Sequence, residues 1–380
     1  MKISALQFLL VMQSLLLLSC GTYDSTSYNR QSIQLVSCQS EFVDSLYFNL
    51  SDVVRLESNK SCVVNSIDKI LSVDDELFIF NSQRDEVAVF GLDGRHHRTI
   101  NKVGRGKGEY IQLMDFTYDR YEDELLFLVS PSSIYHYTRH GDFIKKVSLE
   151  EYFSYVGVDS TYYYYYYVPS DIDSKHLIKC VNKKSGDAHT LLTNEYSTAS
   201  HCTFGACMFQ NERVLFVKKF DQNIYELSNG QISRALSLDL GIKRFNMNKF
   251  KEGMDCTQLL SIGMKDKSIY TFSRVMNAGD FLMFSSNLFD LNICKDGKCV
   301  NYTRMRSSKF GIPLSTYLPV EGCSEMKTCF VLDDFTISSY KKMFKKNPES
   351  KSAINDALVE MIETLPEGSN PLLFIYEVKK

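Results

Sequence analysis

The sequence predicts an all-β fold: a six-bladed β-propeller of four-stranded antiparallel blades, with a helical insertion before the last strand. Three observations carry this prediction. Short strand-like segments alternate with tight turns, glycine-containing turns recur at a period near 45 residues, and strand-forming aromatic residues are abundant. The 380 residues include 23 Tyr and 25 Phe but no Trp and only 7 Pro. Aromatic and β-branched residues favour strands, so the composition agrees with the repeat.

The repeat is defined by hairpins that carry a glycine in the turn. Successive turn glycines are 47, 45, 44 and 67 residues apart. One such hairpin per unit, at a period near 45, is typical of four-stranded propeller blades. The long last interval leaves about 22 extra residues, which we assign to an insertion at 243–260. The five turns are Asp93-Gly94, His140-Gly141, Ser185-Gly186, Asn229-Gly230 and Asp296-Gly297.

A second kind of strand pair lies between these hairpins. Residues 69–82 and 114–130 each contain an apolar strand, an Asp-rich turn and a second strand. Five hairpins, together with strand material at both termini, add up to six blades. We expect the N-terminal strand at 32–36 to pair with the C-terminal strand at 371–379, because ring closure removes exposed sheet edges.

One segment near the C-terminus breaks the strand pattern. Asn347-Pro348-Glu349 combines a cap residue, a proline at the first helical position and an acid in the first turn, which predicts a helix start. Apolar residues from Ala353 to Ile362 then recur at helical spacing, and Pro366 ends the pattern. The insertion spans about 338–365. A surface helix packed on the last blade is the favoured interpretation, and a partner-binding helix is the alternative.

The N-terminus predicts export and lipid attachment. Met1-Lys2 is followed by the mostly apolar segment 3–18, and Ser19 precedes Cys20. This is a secretory signal whose end resembles the lipobox of bacterial lipoproteins. The resemblance implies cleavage before Cys20 and acylation of that cysteine. A plain transmembrane anchor is the alternative, but the segment is short for a span of ~20 residues.

The predicted organisation is therefore a signal peptide at 1–19, a lipidated cysteine with a flexible tether at 20–31, and a propeller at 32–380. The tether is polar and without periodicity, and it has no acidic cluster behind the cysteine. We expect attachment to the outer membrane, and the sequence fits both a periplasmic and a cell-surface orientation.

Charge excludes one class of partner. Removing Lys2 with the signal peptide leaves 42 basic against 46 acidic side chains, a net charge of −4. Such a balance gives no electrostatic basis for nucleic-acid binding. No cofactor motif is present, so the sequence predicts none.

Ten cysteines remain besides Cys20, in a compartment that permits disulfides. Cys294 and Cys299 are the best pair, because Asp296-Gly297 predicts a type I′ turn that would bring them face to face. Cys202/Cys207 and Cys323/Cys329 are weaker local pairs, and free buried thiols are the general alternative. A zinc site using His201, Cys202 and Cys207 lacks a second ligand motif, so we predict no metal.

The block Val103-Gly-Arg-Gly-Lys-Gly-Glu-Tyr110 at first suggests a phosphate loop. Its spacing fits neither the dinucleotide fingerprint nor the P-loop, and strands follow it where a helix is needed. This block, the lipobox and the C-terminal segment SNPLLFIYEVK resemble the six-bladed β-propeller lipoproteins of Gram-negative gut anaerobes. The blades more distantly resemble NHL-type propellers. That resemblance implies binding of proteins, RNA or glycans, and occasionally lyase activity.

Candidate binding residues come from two segments. Arg105, Lys107, Glu109 and Asp115 lie near a predicted inner strand, where propellers often bind ligands, although a solvated loop is the simpler interpretation. Tyr163 and Tyr165, in a run of six tyrosines, could form a stacking platform for sugars. The simpler interpretation is again structural, because tyrosine fits a half-buried strand.

No catalytic motif emerges from the sequence. His136 and His140 could be a metal pair but lack the HExxH spacing, and no Gly-x-Ser-x-Gly elbow occurs. We therefore expect a noncatalytic binding or scaffold lipoprotein for a glycan, a peptide or an envelope protein. The alternative is a propeller lyase or hydrolase whose site is assembled at the central channel.

Overall fold

Antiparallel pairing between successive strands dominates the structure. The protein is seen as a computed structural model that describes residues 32–38, 41–59, 62–167, 176–196, 198, 206–278, 281–314, 317–322 and 327–379. Within these ranges the strands form one nine-stranded, one eight-stranded, two four-stranded and one two-stranded sheet. Seven of the strand pairs contain register shifts. Such irregularities increase twist, so the sheets curl.

Three antiparallel meanders occupy the first half of the chain, after three N-terminal strands. The N-terminal strands are β1 (Ile33–Cys38), β2 (Phe42–Val43) and β3 (Phe48–Arg55). The first meander is β4 (Lys69–Val73), β5 (Glu76–Asn81), β6 (Glu86–Gly91) and β7 (His96–Ile100). The second is β8 (Gln112–Asp119), β9 (Glu124–Ser130), β10 (Ser133–Tyr137) and β11 (Phe143–Ser148). The third is β12 (Phe153–Val158), β13 (Tyr162–Tyr167), β14 (His176–Asn182) and β15 (Ala188–Thr193).

Three further meanders follow. The fourth is β16 (Met208–Gln210), β17 (Val214–Val217), β18 (Asn223–Ser228) and β19 (Gln231–Asp239). The fifth is β20 (Phe272–Ala278), β21 (Phe281–Ser286), β22 (Leu291–Lys295) and β23 (Lys298–Tyr302), and the short β24 (Met305–Arg306) pairs with β2. The sixth comprises β25 (Tyr317–Glu321), β26 (Lys327–Leu332) and β27 (Leu372–Val378), with β3 as its fourth strand.

The turn predictions are confirmed. All five predicted turn glycines lie between the third and fourth strands of a meander, and their φ angles run from 71° to 88°. At the last of these turns Asp296 also has a positive φ of 51°. Two consecutive positive φ angles are what a type I′ hairpin requires.

The predicted pairing of the N-terminal strand is wrong. β27 pairs with β3, so that Phe374 faces Val53, and not with residues 32–36. β1 instead lies in parallel between β19 and β23, where it joins the fourth and fifth meanders. β3 is the better partner for β27 because Val54 packs into a buried apolar cluster, whereas β1 leaves Val36 54% exposed.

Helices lie in two connections. α1 (Cys256–Asp266) and short 3-10 helices at Gly241–Lys243 and Met247–Lys249 fill the long interval between β19 and β20, where the sequence predicts an insertion. Between β26 and β27 lie α2 (Asp334–Lys346), a 3-10 helix (Pro348–Ala353) and α3 (Asp356–Thr364).

The predicted helix start at Asn347 needs correction. Asn347 is the C-cap that follows Lys346, the last residue of α2, and Pro348 begins the 3-10 helix. An α-helix resumes only at Asp356, where the Asn355 side chain accepts a hydrogen bond from the amide of Ala357. No helix among the described residues is long and apolar enough to cross a membrane.

The apolar core is divided into layers that each join neighbouring meanders. One layer joins the first and second meanders, another the second and third, and a third links the third, fourth and fifth. A fourth layer joins the fifth and sixth meanders and includes Leu358 and Ile362 of α3. A last layer packs the sixth meander back against the first, with Leu373 and Val320 against Ile70 and Ile79.

Candidate functional site

Polar side chains from the first strands of five meanders lie together in a group that we call the central cluster; four of them are buried and the fifth, Arg274, is half-buried beside the same cavity. Its members are Lys69 of β4, Asp115 of β8, Gln210 of β16, Arg274 of β20 and Glu321 of β25. The first strand of the remaining meander, β12, contributes backbone amides to the same group. Each first strand is otherwise largely apolar, so these polar groups share one environment.

Lys69 is the hub of the cluster. Its Nζ lies 2.8 Å from Asp115 Oδ1, 2.9 Å from the carbonyl oxygen of Phe116 and 3.8 Å from Glu321 Oε2. The side chains of Lys69, Asp115 and Glu321 are only 4 to 6% exposed. Charges buried this deeply persist only when they are paired and hydrogen-bonded, so Lys69 ties together the first strands of three meanders.

Gln210 of β16 connects the cluster to β12 and makes a second contact with β8. Its Oε1 accepts hydrogen bonds from the amide of Val158 at 2.8 Å and from Thr117 Oγ1 at 3.2 Å. Its backbone amide donates to Glu321 Oε2 at 3.1 Å. Asp115 Oδ2 likewise accepts from the amide of Val156 at 3.0 Å. Every one of these polar atoms is therefore satisfied.

Burial changes the acid–base properties of the cluster. Burial by itself would lower the pKa of Lys69, but Asp115 and Glu321 outweigh that effect and raise it. Burial raises the pKa of Asp115 although Lys69 opposes the rise. Burial also raises the pKa of Glu321, to about 7, with Lys69 opposing and Asp115 adding to the rise. Glu321 therefore changes charge near neutral pH.

Arg274 differs from the other members because its guanidinium makes no hydrogen bond or ion pair with any described residue. Its Nε is buried without a partner, and burial lowers its pKa. The residue has φ = 52°, in the left-handed region, and it lies at a register shift between β20 and β21. Tyr317 Oη donates to the carbonyl oxygen of Arg274 at 3.1 Å, which holds this conformation. Strained, bulged backbone of this kind re-aims side chains and clusters at functional sites.

A cavity of about 210 Å³ opens beside these residues. Its walls combine the charged groups of the cluster with apolar side chains, and its described lining contains no serine, threonine, cysteine or histidine. The lining residues are Ile67, Asp68, Lys69, Ala206, Phe209, Arg274, Leu318, Pro319 and Glu321.

The structure separates the four residues predicted near the inner strand. Asp115 belongs to the central cluster, whereas Arg105, Lys107 and Glu109 are exposed on the loop between β7 and β8. Glu109 Oε2 accepts a hydrogen bond from the amide of Gly106 at 2.6 Å. The loop acid therefore organises its own turn, and only Asp115 lines up with the other first strands.

The tyrosine run lies in the packing between meanders. Tyr162, Tyr164 and Tyr166 face the layer shared with the fourth meander, and the alternate tyrosines face the second. Tyr165 is 3% exposed, so its ring offers no face to a ligand. Tyr163 is half-buried, with Lys183 Nζ 5.3 Å from its ring centroid. The alternation predicted for the strand is present, but both faces are covered.

The cysteines and histidines described in this paragraph make contacts within and between strands. Cys294 and Cys299 face each other across the β22–β23 hairpin and form a disulfide. Cys329 is a free buried thiol, so the suggested Cys323/Cys329 pair is not formed. His136 Nδ1 lies 2.6 Å from Glu124 Oε2 in a buried pair. No three His, Cys, Asp or Glu side chains gather as metal ligands in the part of the chain that the structure describes.

Several predictions fall on residues outside the described ranges. They concern the signal peptide at 1–19, Cys20 and its tether, and the residues His201 and Cys202 of the zinc alternative.

Sequence reasoning missed Lys69, Gln210, Arg274 and Glu321. Each is a charged or amide residue within or at the end of a strand that opens a repeat unit. Their positions within these strands differ, so no shared spacing marks them.

Comparison with known proteins places the fold. No protein of curated function matches the sequence. A Bacteroides fragilis protein classed as exported aligns over 92% of this chain and 100% of its own, with 17% identity and a TM-score of 0.73, which supports a shared fold. A member of the DUF4221 family from Bacteroides vulgatus covers 88% of this chain and 97% of its own, with 7% identity and a TM-score of 0.48. Virginiamycin B lyase from Staphylococcus aureus covers 74% and 81%, with 12% identity and a TM-score of 0.41. Residues 30–377 match the domain of unknown function DUF4934, and the chain belongs to that family.

Proposed function

We propose that this protein is a lipoprotein of the outer membrane whose six-bladed β-propeller is a noncatalytic binding module for a glycan, a peptide or an envelope protein. In this proposal residues 1–19 are the signal peptide, Cys20 is acylated and 20–31 are the tether. The six meanders of residues 32–380 are the four-stranded blades, with the helical insertion between the last two strands.

Two features support the propeller. The first strands of all six meanders supply atoms to the central cluster, as expected if they surround one axis. The apolar layers run from each meander to the next and return from the sixth to the first. Pairing of β3 with β27 then joins an N-terminal and the C-terminal strand in one meander, as closure of a ring requires.

Export is supported from two sides. The N-terminal sequence has a signal peptide pattern with a cysteine after a small residue. The similar Bacteroides fragilis protein is also classed as exported. Acylation of Cys20 would hold the propeller at the membrane, and the tether would let it reach a partner.

The cavity is the observation that carries the binding function. It lies at the first strands, where side chains from separate meanders converge, and it mixes apolar walls with fixed charges. Such a concave site with a few convergent polar groups is the usual form of a ligand site. Lys69 is already neutralised by Asp115, and the described lining offers no nucleophile beside a base. This chemistry suits binding better than turnover.

One observation favours the alternative of a lyase or hydrolase. Burial raises the pKa of Glu321 to about 7, which is the range in which a carboxyl group can both give and take a proton at neutral pH. Arg274 and Lys69 in the same cavity could stabilise a developing negative charge. Under this alternative Glu321 is the general acid or base.

The test measures binding and turnover together. The full-length protein in detergent is titrated calorimetrically with muropeptides, neutral oligosaccharides and short peptides, and the mixtures are then analysed for products by mass spectrometry. Ala206→Phe fills the cavity, and Ala188→Phe places the same side chain at an exposed position of β15 as the control.

Binding that is lost in Ala206→Phe, retained in Ala188→Phe and free of products supports the binding module. Products that form with the wild type and disappear in a folded Glu321→Gln variant would show instead that the protein is an enzyme. If none of the three ligand classes binds, or if the cavity-filled variant binds as the wild type does, the cavity is not the site.

A further inference from the structure

We propose that the cavity recognises a small organic carboxylate, which forms its ion pair with the guanidinium of Arg274. This inference rests on the proposed function and names the chemistry of the ligand that the cavity takes.

The two cations on the cavity wall differ in how they are paired. Of the two cations there, Lys69 has Asp115 at 2.8 Å and Glu321 at 3.8 Å. Arg274 has no carboxylate within ion-pair distance among the described residues, and its buried Nε lacks any hydrogen-bond acceptor. A buried donor left unsatisfied costs about 1–3 kcal/mol. A ligand that supplies an acceptor therefore removes an existing penalty as well as adding a contact.

The shape of the Arg274 guanidinium favours a carboxylate. A guanidinium is planar, stays protonated at physiological pH and presents paired N–H groups that match a carboxylate. Arg274 is held in its left-handed conformation by the bulge and by Tyr317. This fixes the backbone from which the guanidinium extends before a ligand arrives, which reduces the part of the entropy cost that comes from ordering the backbone.

The volume of the cavity limits the size of the ligand. A cavity of about 210 Å³ is smaller than the ~300–1,000 Å³ typical of pockets for drug-sized ligands. It suits a group of the dimensions of one sugar or one amino acid. Phe209 and Leu318 add apolar wall to the cavity beside the charged groups. A carboxylate at one end and an apolar body at the other is the complement of this cavity.

The affinity for a carboxylate should depend on pH through the charge of Glu321. Lys69 of β4 lies 3.8 Å from Glu321, and Asp115 of β8 acts on the same carboxyl group electrostatically. Arg274 of β20 and Asp68 line the same cavity. When Glu321 is ionised it adds a negative charge to the wall and weakens anion binding. When it is protonated, near and below neutral pH, that repulsion is absent. Carboxylate affinity should therefore rise as the pH falls from about 8 to about 6.

The experiment titrates the full-length protein with three carboxylates that share the group but differ in source: glucuronate, N-acetylalanine and lactate. Glucose, N-acetylalanine amide and lactamide are the matched uncharged partners, and inorganic phosphate is an anion without a carboxylate. Arg274→Gln removes the charge alone, Arg213→Gln removes an exposed arginine that pairs with Glu226, and thermal unfolding checks that each variant is folded.

We expect at least one carboxylate to bind, its uncharged partner to bind far less, and Arg274→Gln to weaken it roughly tenfold to a hundredfold while Arg213→Gln has no effect. Which of the three binds best identifies the source. Equal binding of a carboxylate and its uncharged partner, or unchanged binding by a folded Arg274→Gln variant, would overturn the inference.

Should Arg274→Gln fail to fold, Glu321→Gln provides the test, because it should bind a carboxylate equally well at about pH 6 and about pH 8. A pH dependence as large as that of the wild type would then refute the proposed carboxylate binding. Failure of this inference leaves the binding module intact if a neutral ligand binds and the cavity-filling Ala206→Phe variant loses it.

Discussion

Replacing Glu321 by glutamine should stabilise the protein at alkaline pH. The side chain is 5% exposed, and its charged form has one close backbone donor, the amide of Gln210 at 3.1 Å. Lys69 Nζ is 3.8 Å away and is already engaged by Asp115. Glutamine keeps the size of the side chain and an oxygen for the Gln210 amide, so the substitution removes mainly the charge.

The magnitude follows from the pKa of Glu321. Burial raises this pKa from its ordinary 4.5 to about 7. Below pH 4.5 the carboxyl group is protonated in both the folded and the unfolded chain, and its contribution to stability is fully present. As the pH rises to about 7, the unfolded chain releases the proton and the folded chain retains it, so folding becomes less favourable. At ~1.4 kcal/mol per pH unit, the wild type loses roughly 3 kcal/mol that the glutamine variant keeps.

The assay is urea denaturation of both proteins at several pH values between about 5 and about 8. The difference in unfolding free energy, variant minus wild type, should be small at the acidic end and grow in favour of the variant as the pH rises. Glu76→Gln is a control of opposite sign, because hydrogen bonds from Arg98 lower the pKa of Glu76 to about 2. That variant should be less stable than the wild type over the whole range.

A Glu321→Gln variant that is destabilised at all pH values would refute this reasoning. So would a difference from the wild type that does not change with pH. Either result would mean that the ion pair with Lys69 outweighs the effect of burial, and that Glu321 stays ionised in the folded protein.

Three further predictions concern the anchor, the hub of the cluster and the strand that completes the sixth meander. Cys20→Ala should move the protein from the membrane to the soluble fraction, and unchanged fractionation would exclude lipid anchoring. Lys69→Met should lower the unfolding free energy by about 3–5 kcal/mol, because it leaves buried carboxylates without their cation; denaturation at neutral pH measures this. Gly94→Ala should destabilise more than Gly297→Ala. Both have positive φ, but only at Gly94 would the added Cβ lie 2.2 Å from the carbonyl oxygen of Arg55; equal losses in thermal unfolding would contradict this.

Much of the strand arrangement could be predicted from local signals. A turn glycine such as Gly94 or Gly230 marks its hairpin because positive φ is a local requirement. The pairing of the N-terminus could not be predicted this way. Both β1 and β3 mix apolar and polar residues, and the choice of β3 as the partner of β27 depends on the packing of Val54 between two distant meanders. The helical insertion shows the same limit, since the signal at Asn347-Pro348 marks the junction of two helical segments.

The candidate site was harder to predict than the fold. Asp115 could be singled out because it follows a conspicuous glycine-rich block, but that block led equally to Arg105 and Lys107, which lie on an exposed loop. The site joins residues that are far apart in sequence, and Lys69 lies 252 positions before Glu321 (321 − 69). Tertiary packing brings such positions together, so spacing alone carries no information about them.

The division of roles within the central cluster follows from what each charge already contacts. Lys69 and Asp115 are bonded to each other and to backbone groups, and the Gln210 side chain is bonded to Thr117 and to backbone groups. They can fix the relative positions of the first strands, but they cannot meet a ligand without losing those bonds. Arg274 is in the opposite situation, with a guanidinium left without an acceptor beside a cavity. A fold that needed only structural charges here would leave no cation unmatched, so the unmatched arginine is the feature that points to a bound anion.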